Sequence, residues 1–157
     1  RQRQMCIRDS NKEAERLISD YCARAGVTLI HQEGDKAFYR PSNDTIVLPM
    51  MSQFAETAEY YSTAFHEMVH STGHSNRLNR LTQTAHFGNT EYSKEELVAE
   101  IGASALVNHA GLETEKSFRN STAYVQSWLN VLKNDKRFIV SASGKAEKAV
   151  ELILAGA

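Results

Sequence analysis

His66-Glu67-Met68-Val69-His70 is the stretch on which the reading of this chain turns. Two histidines four residues apart on a helix are offset by only about 40° around its axis, so both imidazoles point the same way. Zinc takes imidazole nitrogen readily, and a catalytic zinc keeps one position open for water. The glutamate between the histidines can accept a proton from that water. The flanking sequence supports a helix from Phe54 to about Thr72, with Phe54, Ala58, Tyr61, Phe65, Met68 and Thr72 on one stripe and Gly73 as its stop. With that stripe at 0°, His66 falls at about 120° and His70 at about 160°. Both therefore border a cleft rather than the core, and Glu59 projects onto the same face.

A zinc site of this kind needs a third protein ligand. In one class it is a histidine six residues after the second, a position held here by Asn76. His74 would lie roughly 6 Å further along the axis than His70, too far for the same ion without a bend at Gly73. In the other class the ligand is a carboxylate from a later helix. A helix apolar nearly all round begins near Ser93, and Glu96 and Glu100 share a face of it with Ala103 and Val107. A carboxylate on a buried face is costly unless paired or metal-bound. Ser93-x-x-Glu96 also reads as a capping box, which would make Glu96 structural and Glu100 the ligand. Spacing leaves both readings open.

Taken together, Phe65 to His74, Arg77-Leu78-Asn79-Arg80, Phe87-Gly88 and Glu95 to Ala103 resemble the zincin-like metallopeptidase domain of ArdC-type antirestriction proteins of plasmids and phages. Tyr124 to Leu129 and the Lys145 to Leu154 helix are similar too, so that the resemblance covers roughly residues 15–155. It implies an α+β zincin-like fold, a small sheet of about three strands followed by the motif helix and further helices. It implies His66 and His70 as metal ligands, Glu67 as base, and a glutamate of the later helix as third ligand. The Glu96-to-Ala99 register is distantly similar to the ImmA/IrrE metallopeptidases, where the first glutamate binds zinc. That favours Glu96, with Glu100 as the acceptor that orients a ligand histidine. ArdC-type proteins also carry an N-terminal domain for single-stranded DNA. Nucleic acid binding is therefore expected only through such a missing domain, if at all.

The composition fits this reading. The 157 residues are 41% hydrophobic and 24% charged with a formal net charge of −1. That matches one soluble domain without a basic field for nucleic acid. Arg77 and Arg80 form a small basic spot that reads as ordinary surface. Cys6 and Cys22 make neither a disulfide scaffold nor a cysteine zinc site, and a reducing cytoplasm fits them; the resemblance implies that of a bacterium carrying a plasmid or phage. No stretch is apolar enough to span a membrane. Residues 1–10 resemble a translated sequencing adapter. They are read as a non-native leader, with residues 11–157 as the zincin-like domain and the natural chain expected to continue upstream.

The remaining elements read as a helix over residues 11–25, strands at Val27–His31, Lys36–Arg40 and Thr45–Leu48, and late helices over Ser117–Asn134 and from about Ser143 to Leu154. Thr45–Leu48 is expected to be a sheet edge that takes a peptide as an added strand. Trp128 reads as core packing. The expected activity is zinc-dependent hydrolysis of peptide bonds in a protein or peptide substrate, of the two-histidine-plus-glutamate type. Tyr92, His86, His74 and His109 are candidates for stabilising the oxyanion. The rival reading is a non-catalytic antirestriction or DNA-protection module with a structural metal. The built-in base argues against it, because structural sites are normally closed by four ligands and need none.

Overall fold

Asn11 starts the described chain's first helix: its side-chain oxygen accepts from the Ala14 N–H at 2.8 Å, satisfying an otherwise orphaned donor. Helix α1 (Lys12–Ala25) ends at Gly26, whose left-handed φ of 75° suits glycine. The computed structural model describes residues 10–81 and 90–156. Arg1 to Asp9, with Cys6, and the segment holding His86, Phe87 and Gly88 lie outside the described residues.

The architecture is α+β. Strands β1 (Thr28–His31), β2 (Phe38–Arg40) and β3 (Thr45–Leu48) form one sheet in the order β1-β3-β2. β1 runs parallel to β3, with Thr28 opposite Thr45, and β2 runs antiparallel to it, with Arg40 opposite Thr45. Thr45–Leu48 is therefore the central strand, buried along its whole length, and not the expected edge. A peptide cannot be added there, because both its sides are already paired.

A single 3₁₀ turn, Met51–Gln53, leads into helix α2 (Thr57–Thr72). The motif helix thus begins three residues later than its apolar stripe, and Phe54 reaches the core from outside it, edge-on to Tyr60 at 5.6 Å. Tyr61, Phe65 and Met68 are fully buried. Gly73 ends α2, but with φ −82° it is not a left-handed cap. A Cβ there would lie 2.9 Å from the Leu81 side chain and 3.1 Å from Arg80 Nη2, so glycine is needed for close approach.

Helix α3 (Thr90–His109) starts before Ser93, which places Glu96 well inside it and removes the capping-box reading of Glu96. Gly102 lets α3 pack tightly on α2: a Cβ on it would sit 2.9 Å from Val69 Cγ2. Helix α5 (Lys136–Leu154) buries Ala142, Ala146, Ala149 and Ile153 against the core. It begins earlier than expected because Asp135 caps it, accepting from the Arg137 N–H, and because Gly144 is carried within the helix. Helix α4 (Glu115–Val131), capped by Thr114, has no fully buried residue. It ends before Lys133 and Asn134, both with positive φ. Among the described residues no helix is long and apolar enough to cross a membrane.

Candidate metal centre

One turn of α2 and one turn of α3 build the site. His66 and His70 project from α2, and their Nε2 atoms lie 3.2 Å apart. Glu96 of α3 lies against both, with Oε2 2.7 Å from His70 Nε2 and Oε1 3.3 Å from His66 Nε2. Zinc–nitrogen bonds of about 2.0–2.1 Å at a tetrahedral angle separate two nitrogens by about 3.3 Å. The two imidazoles thus stand at the spacing one ion requires. The His66, His70 and Glu96 donor atoms all lie within 4.8 Å of one another, a group that could hold a metal ion.

The opposite nitrogens fix this orientation. His66 Nδ1 donates to Glu100 Oε1 at 2.9 Å, and His70 Nδ1 donates to Glu95 Oε2 at 2.9 Å. A carboxylate can only accept, so each Nδ1 carries a proton, and each Nε2, which faces Glu96, is the nitrogen that a bound metal would take. Glu100, expected as an acceptor for a ligand histidine, thus lies on His66 Nδ1. Glu95 was not anticipated, although it is a third carboxylate on a helix apolar nearly all round and so needs a partner. The partner is Arg80, whose Nε and Nη2 donate to the two Glu95 oxygens, each at 3.0 Å.

Arg77 and Arg80 are therefore not ordinary surface; each side chain is only 8% exposed. Arg77 donates to Asp44, to Ser71 O at 2.9 Å and to Ala25 O at 3.0 Å, tying the end of α2 to the sheet and to α1.

Burial opposes charge on His66, but the Glu100 and Glu96 carboxylates outweigh it and hold its pKa up to about 9. Burial likewise works against His70, and Glu95 and Glu96 raise it well above the ordinary histidine value. Glu96 is held far below the usual carboxylate range, since the hydrogen bonds of both histidines overcome its desolvation. The cluster thus stabilises positive charge at the point where its donors converge.

Glu67 is 7% exposed and lines the same cleft as His66, Glu96 and Glu100. No described residue hydrogen-bonds to its carboxylate, and burial raises its pKa. The cleft has a volume of about 370 Å³. Glu59, from the first turn of α2, lines it without touching either histidine; its carboxylate accepts from the Glu56 N–H at 3.2 Å. Tyr124 and Trp128 of α4 form the facing wall, so Trp128 serves the cleft as well as the core. Tyr92 packs edge-on to Trp128 at 5.7 Å, and burial, Glu96 and Glu67 all raise its hydroxyl pKa. Of the other oxyanion candidates, His74 Nδ1 accepts from the Asn76 N–H, and His109 pairs with Glu13 at the far end of α3. Neither joins the centre.

A family model for zincin-like metallopeptidases matches residues 12–145. The chain belongs to the zincin-like metallopeptidase family. It is 44% identical over 134 residues to a DNA primase TraC of Escherichia coli, and 32% identical over 141 residues to the uncharacterized protein y4eC of Sinorhizobium fredii (strain NBRC 101917 / NGR234). Those matches cover 85% and 88% of this chain but only 12% and 45% of the relatives. The crystal structure of the antirestriction protein ArdC from plasmid R388 in its Mn(II)-bound form superposes with a TM-score of 0.72 at 37% identity, covering 94% of this chain and 54% of ArdC. The metal-free form gives 0.69 at 36% identity, covering 92% and 50%. As a zincin-like domain, the chain spans about half of ArdC and a small part of the primase.

Proposed function

We propose that this zincin-like domain is a zinc-dependent peptidase that hydrolyses peptide bonds in a protein substrate. His66 Nε2, His70 Nε2 and Glu96 hold the metal, and Glu100 and Glu95 keep the two imidazoles in the coordinating tautomer. When bound, the metal supplies Lewis acidity, drawing a water towards ionisation and polarising the scissile carbonyl. Glu67 takes the proton of the attacking water and returns it to the leaving amine. Its burial suits the first step, because a carboxylate whose pKa is raised by desolvation is a stronger base towards the water than one in bulk solvent. We assign the oxyanion donor to Tyr92, whose ring packs edge-on to Trp128 of the cleft wall, and the α2 and α4 walls would hold the substrate chain between them.

The observation that carries this reading is the Glu67 carboxylate, buried beside three convergent candidate metal donors with no hydrogen-bond partner among the described residues. A structural metal site has no use for such a group. The ArdC relative is an antirestriction protein, and we place this domain in a comparable role in the cytoplasm of a bacterium carrying a plasmid or phage.

The test compares zinc-loaded wild type with Glu67→Gln on a host and phage proteome. The expected result is cleavage by the wild type that falls about 10²- to 10⁴-fold in the variant, with zinc content unchanged. Equal antirestriction activity from both, with no cleavage product from either, would replace the peptidase with a non-catalytic module.

A further inference from the structure

We propose that Arg80 is a positioning residue for the metal centre, acting through Glu95 on His70. The inference rests on the reading of His66, His70 and Glu96 as the metal donors.

Arg80 reaches the site from outside both helices that build it. The chain leaves α2 at Gly73 and turns back at Asn79, whose φ of 54° is one that asparagine tolerates. Leu78 N–H then donates to Thr72 O at 2.8 Å and Leu81 N–H to Gly73 O at 2.9 Å, which lays the returning segment along the end of α2. From there the guanidinium makes four contacts with three groups. Nε and Nη2 hold both Glu95 oxygens, Nη2 also donates to Val69 O at 2.7 Å, and Nη1 donates to Thr72 Oγ1 at 2.8 Å. The Glu95 oxygen that accepts from His70 Nδ1 is the one held by Nη2. Arg80, Glu95 and His70 therefore form an unbroken line whose far end is a proposed metal-binding nitrogen.

The line differs from its counterpart on the other histidine. Glu100 holds His66 with no arginine or lysine among the described residues paired to it, whereas Glu95 is gripped in a bidentate fork. Both imidazoles have a carboxylate on each nitrogen, with Glu96 shared, but only Glu95 is the immediate sequence neighbour of Glu96. Without a fixed cation behind it, Glu95 is free to swing towards the metal position and compete with Glu96. A planar fork fixes both oxygens and the direction of the carboxylate, which a point charge cannot do.

A plainer role would have Arg80 cap the end of α2 through Val69 O and Thr72. The two roles separate in zinc affinity, measured by competition with a chromophoric chelator on the folded chain. Arg80→Gln is expected to weaken zinc binding about 10- to 100-fold, the range for losing a ligand's supporting partner. Arg80→Lys should restore only part of it. Glu95→Gln should show a similar loss, and adding Arg80→Gln to it should cost little more, because the two act in series. Gly73→Ala, which crowds the guanidinium, should shift affinity in the same direction even if Arg80→Gln proves too unstable to purify. Unchanged zinc affinity in folded Arg80→Gln, or an undiminished Arg80 effect in the Glu95→Gln background, would overturn the proposal while leaving the metal centre standing. A wild type that binds no zinc would overturn the metal centre, and this role with it.

Discussion

Arg77 and Arg80 are three residues apart, follow the same helix and are buried to the same degree, yet they serve different parts of the molecule. Arg77 faces Asp44, Ser71 and Ala25, and so fastens α2 to the sheet and to α1. Arg80 faces Glu95 and the last turn of α2, and so fastens α3 to the end of the motif helix that carries His70. The same side chain is a fold clamp on one side of the segment after Gly73 and a site clamp on the other. What separates them is the partner each meets.

The largest effect that can break this contrast is on stability. Arg77→Ala leaves Asp44 without its cation and the Ala25 carbonyl without its donor. It should cost about 3–5 kcal/mol of unfolding free energy, read by urea titration, with zinc affinity of the folded fraction unchanged. A loss of zinc affinity matching that of Arg80→Gln would erase the distinction. Gly102→Ala comes next. Its Cβ collides with Val69, so it should cost about 1–3 kcal/mol and also weaken zinc binding, because α3 must back away from α2 with Glu96 on it.

A smaller effect lies in pH. Burial works against the Asp44 charge, but hydrogen bonds from Arg77 and Tyr39 outweigh it and hold its carboxyl below the ordinary range. A depressed carboxyl contributes stability that is fully present above its unfolded pKa, near 3.9, and lost as pH falls through the folded value. The stability gap between wild type and Asp44→Asn should therefore be constant above about pH 5 and shrink on acidification. A gap that widens in acid would contradict the clamp. Smallest of all should be Tyr124→Ala on the exposed wall of the cleft. Stability should move by no more than about 0.5 kcal/mol, while the KM for a cleaved peptide rises.

The same contrast explains what could be read in the chain and what could not. His66, Glu67 and His70 are legible because they are local: a four-residue spacing on a helix dictates their common direction. Glu96 and Glu100 were legible as a pair, because carboxylates on an apolar helix need a reason to be there. The choice between them depended on where α3 begins. Starting at Thr90 rather than near Ser93, it leaves Glu96 no capping role and sets its oxygens against both histidines. Glu95 and the two arginines were misread or missed because the burial of a charge depends on its partner. Those partners lie 15 residues away for Arg80 and 33 for Arg77. Thr45–Leu48 failed as an edge for a similar reason. Its unbroken Thr-Ile-Val-Leu run is compatible with burial on both faces, but strand order is set by pairing with β1 and β2, which no local pattern encodes.

The most direct test of the account is the position of the metal itself. Crystals of the chain grown with zinc, with data collected on either side of the zinc absorption edge, should give one anomalous peak per chain. It should lie about 2.0–2.2 Å from His66 Nε2, His70 Nε2 and a Glu96 oxygen, with Glu95 and Glu100 still on the Nδ1 atoms. A peak ligated by Glu100 or Glu95 in place of Glu96, or no peak between α2 and α3, would contradict it.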